Sequence, residues 1–369
     1  MERKEKRNHT ICTLDMCGDE KWIWFVDAML NILYKVNICD KTFKSYPIPY
    51  EEKIQYGLYS RICKIRNEIW LIPLMAKRII IFNSDDEGFS TIDIFNQKKQ
   101  SEYLFCDAVV EQNVMYLFPC MFGEILKMDI HKKEVLKKYE IPSELRTKFC
   151  CGIEGVQKLG EAKFMASYVG TTELLEFDKK TGEFKKYGND IGLEKESNMC
   201  FVSGSDYIYA VSNHPSDGTL RKMDDKIKKT LKSVPLKKGI AIPYIIWNQY
   251  IVIEYMDLPF VQIYDEELSL ITEYEKEYNA NLDHPYDRGV WTQITDKLVV
   301  YSENMYGKIS FFKDGELEPY DSIVIEQDEN ILDTLLAKWW DIKEVPVKET
   351  EITDCRAFLN AVMRKTEGL

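Results

Sequence analysis

The sequence lacks the features that mark membrane-spanning and disulfide-stabilised proteins. No uninterrupted apolar stretch approaches the ~18 residues that a membrane-spanning helix needs. The ten cysteines include no Cys-x-x-Cys pair and show no regular pairing, in a chain too large to need disulfides for stability. The charged N-terminal residues run into Asp15 without an apolar segment of signal-peptide length. These absences predict a cytoplasmic protein with reduced thiols and no membrane association.

Charge and composition argue against two further classes. The chain has 369 residues, with 49 basic and 61 acidic side chains and a net charge of -12. An acidic surface repels phosphate backbones, and no basic stripe interleaved with aromatic residues interrupts it, which argues against a nucleic-acid partner. A hydrophobic content of 45% and an aromatic content of 12% supply a large core and exclude global disorder. The length suggests two domains unless a repeat architecture occupies it.

A short pattern recurs along most of the chain: an apolar residue, two variable residues, another apolar residue, then Asn or Asp. Six copies end at Asn37, Asn83, Asp129, Asp178, Asp224 and Asp265, and a seventh slips the acid by one place to Asp314. The fifth positions of the copies are 41 to 49 residues apart and 46 on average. Regular self-similarity at this period is typical of a repeat fold.

Each copy lies in the same sequence context. An aromatic-rich apolar run, such as Trp22 to Val26, precedes it and reads as a strand buried on both faces. Another apolar run lies further upstream. A turn and a more polar strand follow, as in Asp178 to Gly182, where the Asp can cap its own bend and the Gly can adopt a positive φ. Four strands per repeat predict an all-β, seven-bladed β-propeller of four-stranded blades.

The repeats set the predicted domain bounds at residues 10–325. The first inner strand is predicted at Thr10 to Leu14 and the last outer strand at Leu317 to Ile325. This count needs no strand borrowed from the other terminus, although a one-strand exchange between the ends is an open alternative. Residues 1–9 are predicted to be a disordered basic tail.

Residues 326–369 are predicted to form a C-terminal helical extension. Two helical stripes follow the last repeat, one of Ile331, Leu332, Leu335, Leu336, Trp339 and Trp340, the other of Cys355, Phe358, Leu359, Val362 and Met363. The helices would cover an edge of the propeller, or the tryptophan pair would dock a partner.

The segments Trp22 to Asp27, Leu33 to Asn37 and Phe43 to Pro49 resemble the repeat of streptogramin-lyase-like and two-component-regulator propellers, which are WD40/YVTN-like in fold. In the lyase, the resemblance implies catalytic histidines in the loops of neighbouring blades, with a carboxylate and magnesium. Those histidines lie in a Pro-His-Gly setting that this chain lacks. Its nearest phrases are Asn213-His214-Pro215 and Asp283-His284-Pro285. The resemblance therefore implies the fold and does not carry lyase activity with it.

Candidate catalytic residues lie in the loops that join second to third strands and outer strands to the next inner strand. These loops hold His214 in blade 5, Asp257 in blade 6, and His284, Asp287 and Arg288 before blade 7. Such loops meet at one face of a propeller, where mobile residues are positioned by rigid strands. Histidines beside carboxylates and a cation could bind a divalent metal or act as a general acid/base pair. The alternative is that they are solvated turn residues.

Two tryptophans are candidates for ligand binding, together with Asp287. Trp247 and Trp291 lie on or near predicted inner strands, where they could stack on a ligand at the channel mouth. By contrast, Trp22, Trp24, Trp70, Tyr116 and Tyr209 fall on second strands and are predicted to form the core between blades.

Cysteines recur on the predicted inner strands of the first five blades: Cys12, Cys63, Cys106, Cys150 or Cys151, and Cys200. Small side chains suit strands that crowd towards the axis, so packing is the favoured interpretation. A thiol-lined channel that binds a soft metal or responds to oxidation is the alternative.

The favoured functional hypothesis is a non-catalytic module that recognises a peptide, a glycan or a partner protein on its loop face. The alternative is a metal-assisted lyase or hydrolase in which His214, His284, Asp257 and Arg288 carry the chemistry with a divalent metal. Propellers host many unrelated activities, so the fold does not choose between them. Neither the ligand nor the oligomeric state is predicted by the sequence.

Overall fold

The computed structural model describes residues 11–28, 30–49, 57–94, 104–120, 123–146, 153–168, 174–187, 198–204, 207–213, 218–224, 230–255, 258–276, 289–303 and 307–325. The described residues form 28 strands in seven four-stranded antiparallel sheets, together with one short 3₁₀ helix, Ser143–Leu145. The predicted seven-bladed propeller is therefore confirmed. The described residues contain no helix that is long and apolar enough to cross a membrane.

Each blade consists of four strands that are consecutive in sequence. The strands of blades 1 to 4 are β1 Met16–Gly18, β2 Trp22–Asp27, β3 Ile32–Asn37, β4 Phe43–Pro47, β5 Tyr59–Ile65, β6 Glu68–Pro73, β7 Ile79–Asn83, β8 Gly88–Ile92, β9 Phe105–Glu111, β10 Val114–Pro119, β11 Glu124–Asp129, β12 Glu134–Glu140, β13 Ile153–Leu159, β14 Lys163–Tyr168, β15 Leu174–Asp178 and β16 Phe184–Tyr187. Those of blades 5 to 7 are β17 Asn198–Ser203, β18 Ile208–Asn213, β19 Thr219–Met223, β20 Thr230–Pro235, β21 Ala241–Ile246, β22 Tyr250–Tyr255, β23 Phe260–Tyr264, β24 Leu270–Glu275, β25 Val290–Thr295, β26 Leu298–Glu303, β27 Lys308–Lys313 and β28 Asp321–Val324.

The first strand of each blade contacts the first strands of the neighbouring blades and is therefore innermost. The face that carries the second-to-third-strand and outer-to-inner connections is called the loop face below. The opposite face, which carries the two tight turns of each blade, is called the turn face.

The core lies between the blades. Each of the seven apolar clusters combines residues of two neighbouring blades, so every blade interface has its own cluster. The second-strand aromatics Trp24, Trp70, Tyr116 and Tyr209 are at most 2% exposed, as predicted, whereas Trp22 is half-buried. Burial of both faces of the second strands explains why these strands are nearly continuous apolar runs in the sequence.

The recurring Asn or Asp caps the turn that follows the third strand. In blade 4 the Asp178 carboxylate accepts the backbone N–H groups of Lys180 at 2.8 Å and Thr181 at 3.1 Å. Gly182 then adopts a φ of +81°, as predicted. Equivalent side-chain bonds are formed by Asn37, Asn83, Asp129 and Asp265. The sequence repeat is thus a repeat of turn chemistry.

One predicted strand position is wrong, and the last predicted strand is shorter than expected. The first inner strand is Met16–Gly18 and not Thr10 to Leu14, because the Cys12 carbonyl accepts the Ala28 N–H at 2.6 Å instead of joining the β2 ladder. The last outer strand is Asp321–Val324 and does not begin at Leu317, since the chain is still in the turn that precedes β28 at that position.

The ring closes by side-chain packing. Within the described residues, no sheet combines strands from both ends of the chain, and one apolar cluster joins blade 7 to blade 1. Lys41 of blade 1 lies 3.2 Å from the Asp321 carboxylate of blade 7 and 3.8 Å from the centre of the Phe311 ring. The predicted N-terminal tail, residues 1–9, and the predicted C-terminal helices, residues 326–369, lie outside the described part of the chain.

The inner-strand cysteines agree in part with the prediction. Cys63, Cys106 and Cys200 lie on β5, β9 and β17, whereas Cys12 precedes β1 and Cys17 occupies that strand instead. Cys150 and Cys151 are outside the described residues. Burial raises the pKa of Cys63 to about 12 and also raises the pKa of Cys17 and of Cys106. These thiols are therefore protonated at neutral pH and behave as small apolar side chains.

Candidate functional site

Five predicted site residues, His214, Asp257, His284, Asp287 and Arg288, lie outside the described residues. Their grouping stays a prediction. The described chain does show the strand ends that flank them, all at the loop face of blades 5 to 7. Among the described residues, no group of three or more His, Cys, Asp or Glu side chains is arranged to hold a metal ion.

The two candidate tryptophans are found in different places. Trp247 lies in the turn between β21 and β22 on the turn face, where its backbone N–H donates to the Gln293 side chain at 2.7 Å. Trp291 lies on β25, is 4% exposed and stacks on Tyr301 with ring centroids 4.4 Å apart. Trp291 thus belongs to the apolar cluster between blades 6 and 7, and the partly buried Trp247 packs against the same cluster.

The structure identifies a residue that the sequence analysis did not: Glu254, near the end of β22. Its carboxylate is fully buried. Its Oε1 atom accepts the Lys276 ammonium and the Gly289 backbone N–H at 3.0 Å, and lies 3.5 Å from the Tyr301 hydroxyl. Its Oε2 atom accepts the Trp291 indole N–H at 3.4 Å. A buried carboxylate is thereby surrounded by donors, as burial of a charge requires.

Gly289 is fixed at both of its backbone polar groups. Its N–H donates to Glu254, and its carbonyl accepts the Tyr244 hydroxyl at 3.1 Å. A Cβ atom at this position would lie 2.0 Å from Cε2 of Tyr301, which real contacts do not allow. Only glycine therefore fits where the connection enters blade 7.

Glu254 consequently holds both ends of one loop-face connection. Lys276 precedes residues 277–288 and Gly289 follows them, and both bond the same carboxylate oxygen. The Lys276 side chain is 11% exposed, so the pair is shielded from water and removal of one partner would cost about 3–5 kcal/mol. We call Glu254, Lys276 and Gly289 the carboxylate anchor.

The neighbouring residue Tyr255 fixes the connection that enters blade 6, between β20 and β21. Its hydroxyl donates to Gln262 Oε1 at 2.7 Å and accepts the Lys237 backbone N–H at 3.0 Å. Gln262 Nε2 and the Lys237 ammonium each donate to the Glu273 carboxylate at 2.7 Å. These two bonds, that from Lys237 first, lower the pKa of Glu273. The end of β22 therefore positions the connections that enter and leave blade 6.

A second charged cluster joins the inner strands of blades 1 to 4. Arg61 Nε and Nη2 donate to the two oxygens of Asp107 at 2.8 and 3.2 Å, and Nη1 lies 3.4 Å from Asp15. Asp15 also accepts the Ile62 N–H at 3.0 Å, and Asp107 accepts the Val156 N–H at 2.8 Å. Each guanidinium nitrogen already has a carboxylate partner, so the cluster serves to hold neighbouring blades together.

Desolvation acts on this cluster. Burial raises the pKa of Asp15 above its ordinary value, although the nearby Arg61 opposes the shift. The Asp107 carboxylate is the main reason that the pKa of Arg61 is raised. Burial thus destabilises the ionised form of Asp15, and its partners offset this effect only in part.

Comparisons with solved structures agree with the fold. The chain is similar to the WD40 β-propeller domain of Doa1, with a TM-score of 0.59 and 9% identity over 85% of this chain and 97% of that chain. It is also similar to the extracellular domain of the putative one component system BT4673 from B. thetaiotaomicron, with a TM-score of 0.62 and 10% identity over 84% of this chain and 41% of that chain. A third similar structure is the computationally designed Ika8 protein, with a TM-score of 0.56 and 10% identity over 83% of this chain and 98% of that chain.

No family model and no curated protein matches the chain. At such low identity the similar structures show the fold alone, and function has to be argued from the site.

Proposed function

We propose that the protein is a non-catalytic binding module that recognises a peptide segment of a partner protein on the loop face of blades 6 and 7. One observation carries the proposal: a single buried carboxylate bonds both ends of the connection 277–288. Fixing the ends of a loop lowers the entropy that it loses when a ligand binds. Recognition loops on a rigid scaffold are the usual arrangement in binding proteins.

The composition of this connection supports recognition. Its twelve residues include Tyr278, Tyr286, Asn279 and Asn281, besides the predicted site residues His284, Asp287 and Arg288. Tyrosine supplies a large contact area at a low entropic cost, and asparagine supplies adaptable hydrogen bonds. Apolar residues are few in the segment, with Ala280, Leu282 and Pro285 as its members. Such a composition is better suited to contact with a partner than to packing in the core.

The arrangement of Glu254 favours an anchor over a catalytic base. A general base must reach the proton that it removes, and the Glu254 oxygens already accept donors from Lys276, Gly289 and Trp291. The carboxylate is also fully buried beneath the loop face. Its role in the proposal is to hold the connection in place.

The proposal is tested by selecting a displayed peptide library against the whole protein. We expect selected peptides to lose at least about tenfold in affinity, ~1.4 kcal/mol, for a Tyr286→Ala variant. A Glu254→Gln variant keeps a neutral acceptor for Gly289 but loses the ion pair with Lys276, so we expect weaker binding there too. Lys138→Ala on the outer strand of blade 3 is the control and should bind like the wild type.

Selected peptides that bind Tyr286→Ala and the wild type equally would overturn the proposed location. A metal assay on protein purified without chelator tests the alternative function. Stoichiometric metal that is lost in a His214→Ala, His284→Ala double variant would favour the metal-assisted lyase or hydrolase instead.

A further inference from the structure

Three blades carry two lysines that lie directly opposite each other on the third and fourth strands. The pairs are Lys35 with Lys44 in blade 1, Lys127 with Lys137 in blade 3, and Lys222 with Lys232 in blade 5. Like charges in direct opposition across two strands destabilise a sheet. Each of these pairs therefore needs a counter-charge.

In blades 1 and 5 the counter-charge comes from a turn of the next blade. Lys44 bonds the Glu87 carboxylate of blade 2, which also accepts the Tyr46 hydroxyl at 2.6 Å. Lys222 bonds the Glu267 carboxylate of blade 6 at 2.6 Å. A glutamate carboxylate of the neighbouring blade is thus the partner of both lysine pairs.

The pair in blade 3 meets a glycine at the place where blade 2 has its glutamate. Gly182 and Glu87 are each the fourth residue after the recurring Asn or Asp of their blade, and both have a positive φ. A Cβ atom on Gly182 would lie 3.2 Å from Cδ1 of Tyr139. The blade 4 turn therefore meets Tyr139 as Glu87 meets Tyr46, but it presents no side chain there.

The two lysines of blade 3 consequently have aromatic neighbours and no anionic partner. The Lys127 and Lys137 ammonium groups lie 5.6 Å from the Tyr116 ring centre and 4.4 Å from the Tyr139 ring centre, respectively. Within the described part of the chain, neither ammonium makes a hydrogen bond or an ion pair, and the Tyr139 hydroxyl makes no hydrogen bond. The rings stabilise the charged form of both lysines, so two cations lie side by side at this junction.

The acids of blades 3 and 4 do not neutralise this pair. Ion pairs with other basic residues are formed by Glu111, Glu124, Glu134, Glu140 and Glu176. Asp129 and Asp178 accept backbone N–H groups of their own turns. Glu161 and Glu183 are exposed in the turns of blade 4, and among the described residues neither they nor the nearby Lys180 form an ion pair. Three unpaired lysines thus face two unpaired glutamates, which leaves a positive excess in a protein of net charge -12.

We propose that Lys127, Lys137 and Tyr139 form an anion site that binds a carboxylate side chain from an acidic segment of a partner protein. The bound carboxylate takes the position that Glu87 has between blades 1 and 2, where it accepts bonds from the ammonium groups and from the tyrosine hydroxyl. The glutamates that fill the equivalent junctions favour a carboxylate over other anions. This site lies between blades 3 and 4 and is independent of the recognition surface proposed for blades 6 and 7.

The test uses a fluorescein-labelled hexaglutamate peptide and the whole protein at low ionic strength, with binding followed by fluorescence anisotropy. We expect a Lys127→Gln, Lys137→Gln double variant to lose at least about tenfold in affinity. The matched control is Lys35→Gln, Lys44→Gln, which removes two charges from the pair that Glu87 already neutralises, and it should bind like the wild type. No binding to the wild type, or equal affinity of the two double variants, would overturn the proposal.

A Gly182→Glu variant tests the position of the bound carboxylate. Its side chain supplies a carboxylate from within the chain, so we expect the peptide to bind more weakly than to a Gly182→Ala variant. The alanine variant carries the same backbone strain at a φ of +81° and serves as the control, with folding of both checked by thermal unfolding. Equal peptide binding by the two folded variants would contradict the assigned position. If both unfold, the comparison of the lysine variants decides.

A membrane surface is the competing partner, and vesicles containing phosphatidylserine test it. We expect no binding of these vesicles that depends on Lys127 and Lys137. Vesicle binding by the wild type that is lost in the Lys127→Gln, Lys137→Gln variant, without binding of the peptide, would assign the lysines to a lipid headgroup instead.

Discussion

The Asn or Asp at the end of each third strand acts as a hydrogen-bond acceptor for the following turn. Asn37 and Asn83 fill the same role as Asp129, because an amide oxygen accepts a backbone N–H as a carboxylate oxygen does. The charge of the aspartates is therefore not what the turn requires. This explains why the repeat accepts either residue in the sequence.

An Asp129→Asn exchange should therefore preserve stability at pH 7, whereas Asp129→Ala should lower it. The N–H groups of Lys132, first, and His131 lower the pKa of Asp129. A carboxylate with a depressed folded pKa stabilises the fold above its unfolded pKa, and this contribution is lost as the pH falls through the folded pKa. Urea unfolding at pH 7 and pH 3 should show that Asp129→Asn loses less stability on acidification than the wild type. Equal stability of Asp129→Ala and Asp129→Asn at pH 7 would contradict the assigned role.

The turn residues at positive φ connect neighbouring blades. Lys41, Glu87 and Lys133 have φ values of +59°, +54° and +57° at the place where blade 4 has Gly182. A non-glycine residue in this region costs about 1 kcal/mol. Lys133 reaches Glu68 of the preceding blade at 2.7 Å, and Lys41 and Glu87 form equivalent pairs. The pairs between blades offset part of that backbone cost.

At the scale of the strands, the inner edge of blades 1 to 4 depends on two carboxylates in unequal situations. Asp107 binds Arg61 through both oxygens and also accepts the Val156 N–H. Asp15 has a raised pKa, so its ionised form is disfavoured in the folded protein. The two residues should therefore respond in opposite ways to neutralisation.

We expect Asp107→Ala to lower the free energy of unfolding by about 2–3 kcal/mol at pH 7. The loss is below the 3–5 kcal/mol of a fully buried pair because the Arg61 side chain is 35% exposed. Asp15→Asn should be at least as stable as the wild type at pH 7.

The pH dependence provides the check on Asp15. The pKa of Asp15 is higher in the folded protein than in the unfolded chain, so its protonated form stabilises the fold. This stabilisation is complete below the unfolded pKa and is lost as the pH rises through the folded pKa. The difference between Asp15→Asn and the wild type should thus shrink on acidification in urea titrations. A large loss of stability in Asp15→Asn at pH 7 would show that the ion pair with Arg61 outweighs desolvation.

Second strands and turns could be predicted from the sequence because their signals are local. Runs such as Ile69 to Ile72 are buried on both faces, and Asp178 caps a turn only a few residues away. The first inner strand has no comparable signal. Ile11 and Met16 are both buried, and only the pairing of Met16 with Phe25 decides which residue lies in the sheet.

The candidate site was beyond sequence analysis because its contacts join distant residues. Glu254 is the one charged residue in the otherwise apolar run Ile251 to Tyr255. A carboxylate within such a run is the sequence signal that could have indicated a buried, bonded side chain. Its partners Gly289 and Trp291 lie 35 and 37 residues away. Their approach depends on how blade 6 packs against blade 7, which no local pattern specifies.

At the scale of the whole molecule, the seam between blades 7 and 1 should open before the other interfaces. β1 pairs through only three residues, Met16–Gly18, whereas β9 spans seven residues, Phe105–Glu111. In hydrogen exchange measured by mass spectrometry, we expect amides of β1 and β28 to exchange faster than those of β9. A Lys41→Gln variant should accelerate exchange in β1 and β28 and leave β9 unchanged. Equal protection of β1 and β9 would contradict a weak seam.

In the described part of the chain, every sheet is built from strands that follow one another directly in the sequence. Strand pairing is therefore complete within each repeat, and side-chain contacts between blades, apolar and charged, set the angle between neighbours. Duplication of one repeat would leave the pairing of all existing strands intact and would alter that angle alone. The number of blades in the ring is thus determined by the shape of the packed side chains, and substitutions at those interfaces are the route by which a ring of different size could evolve.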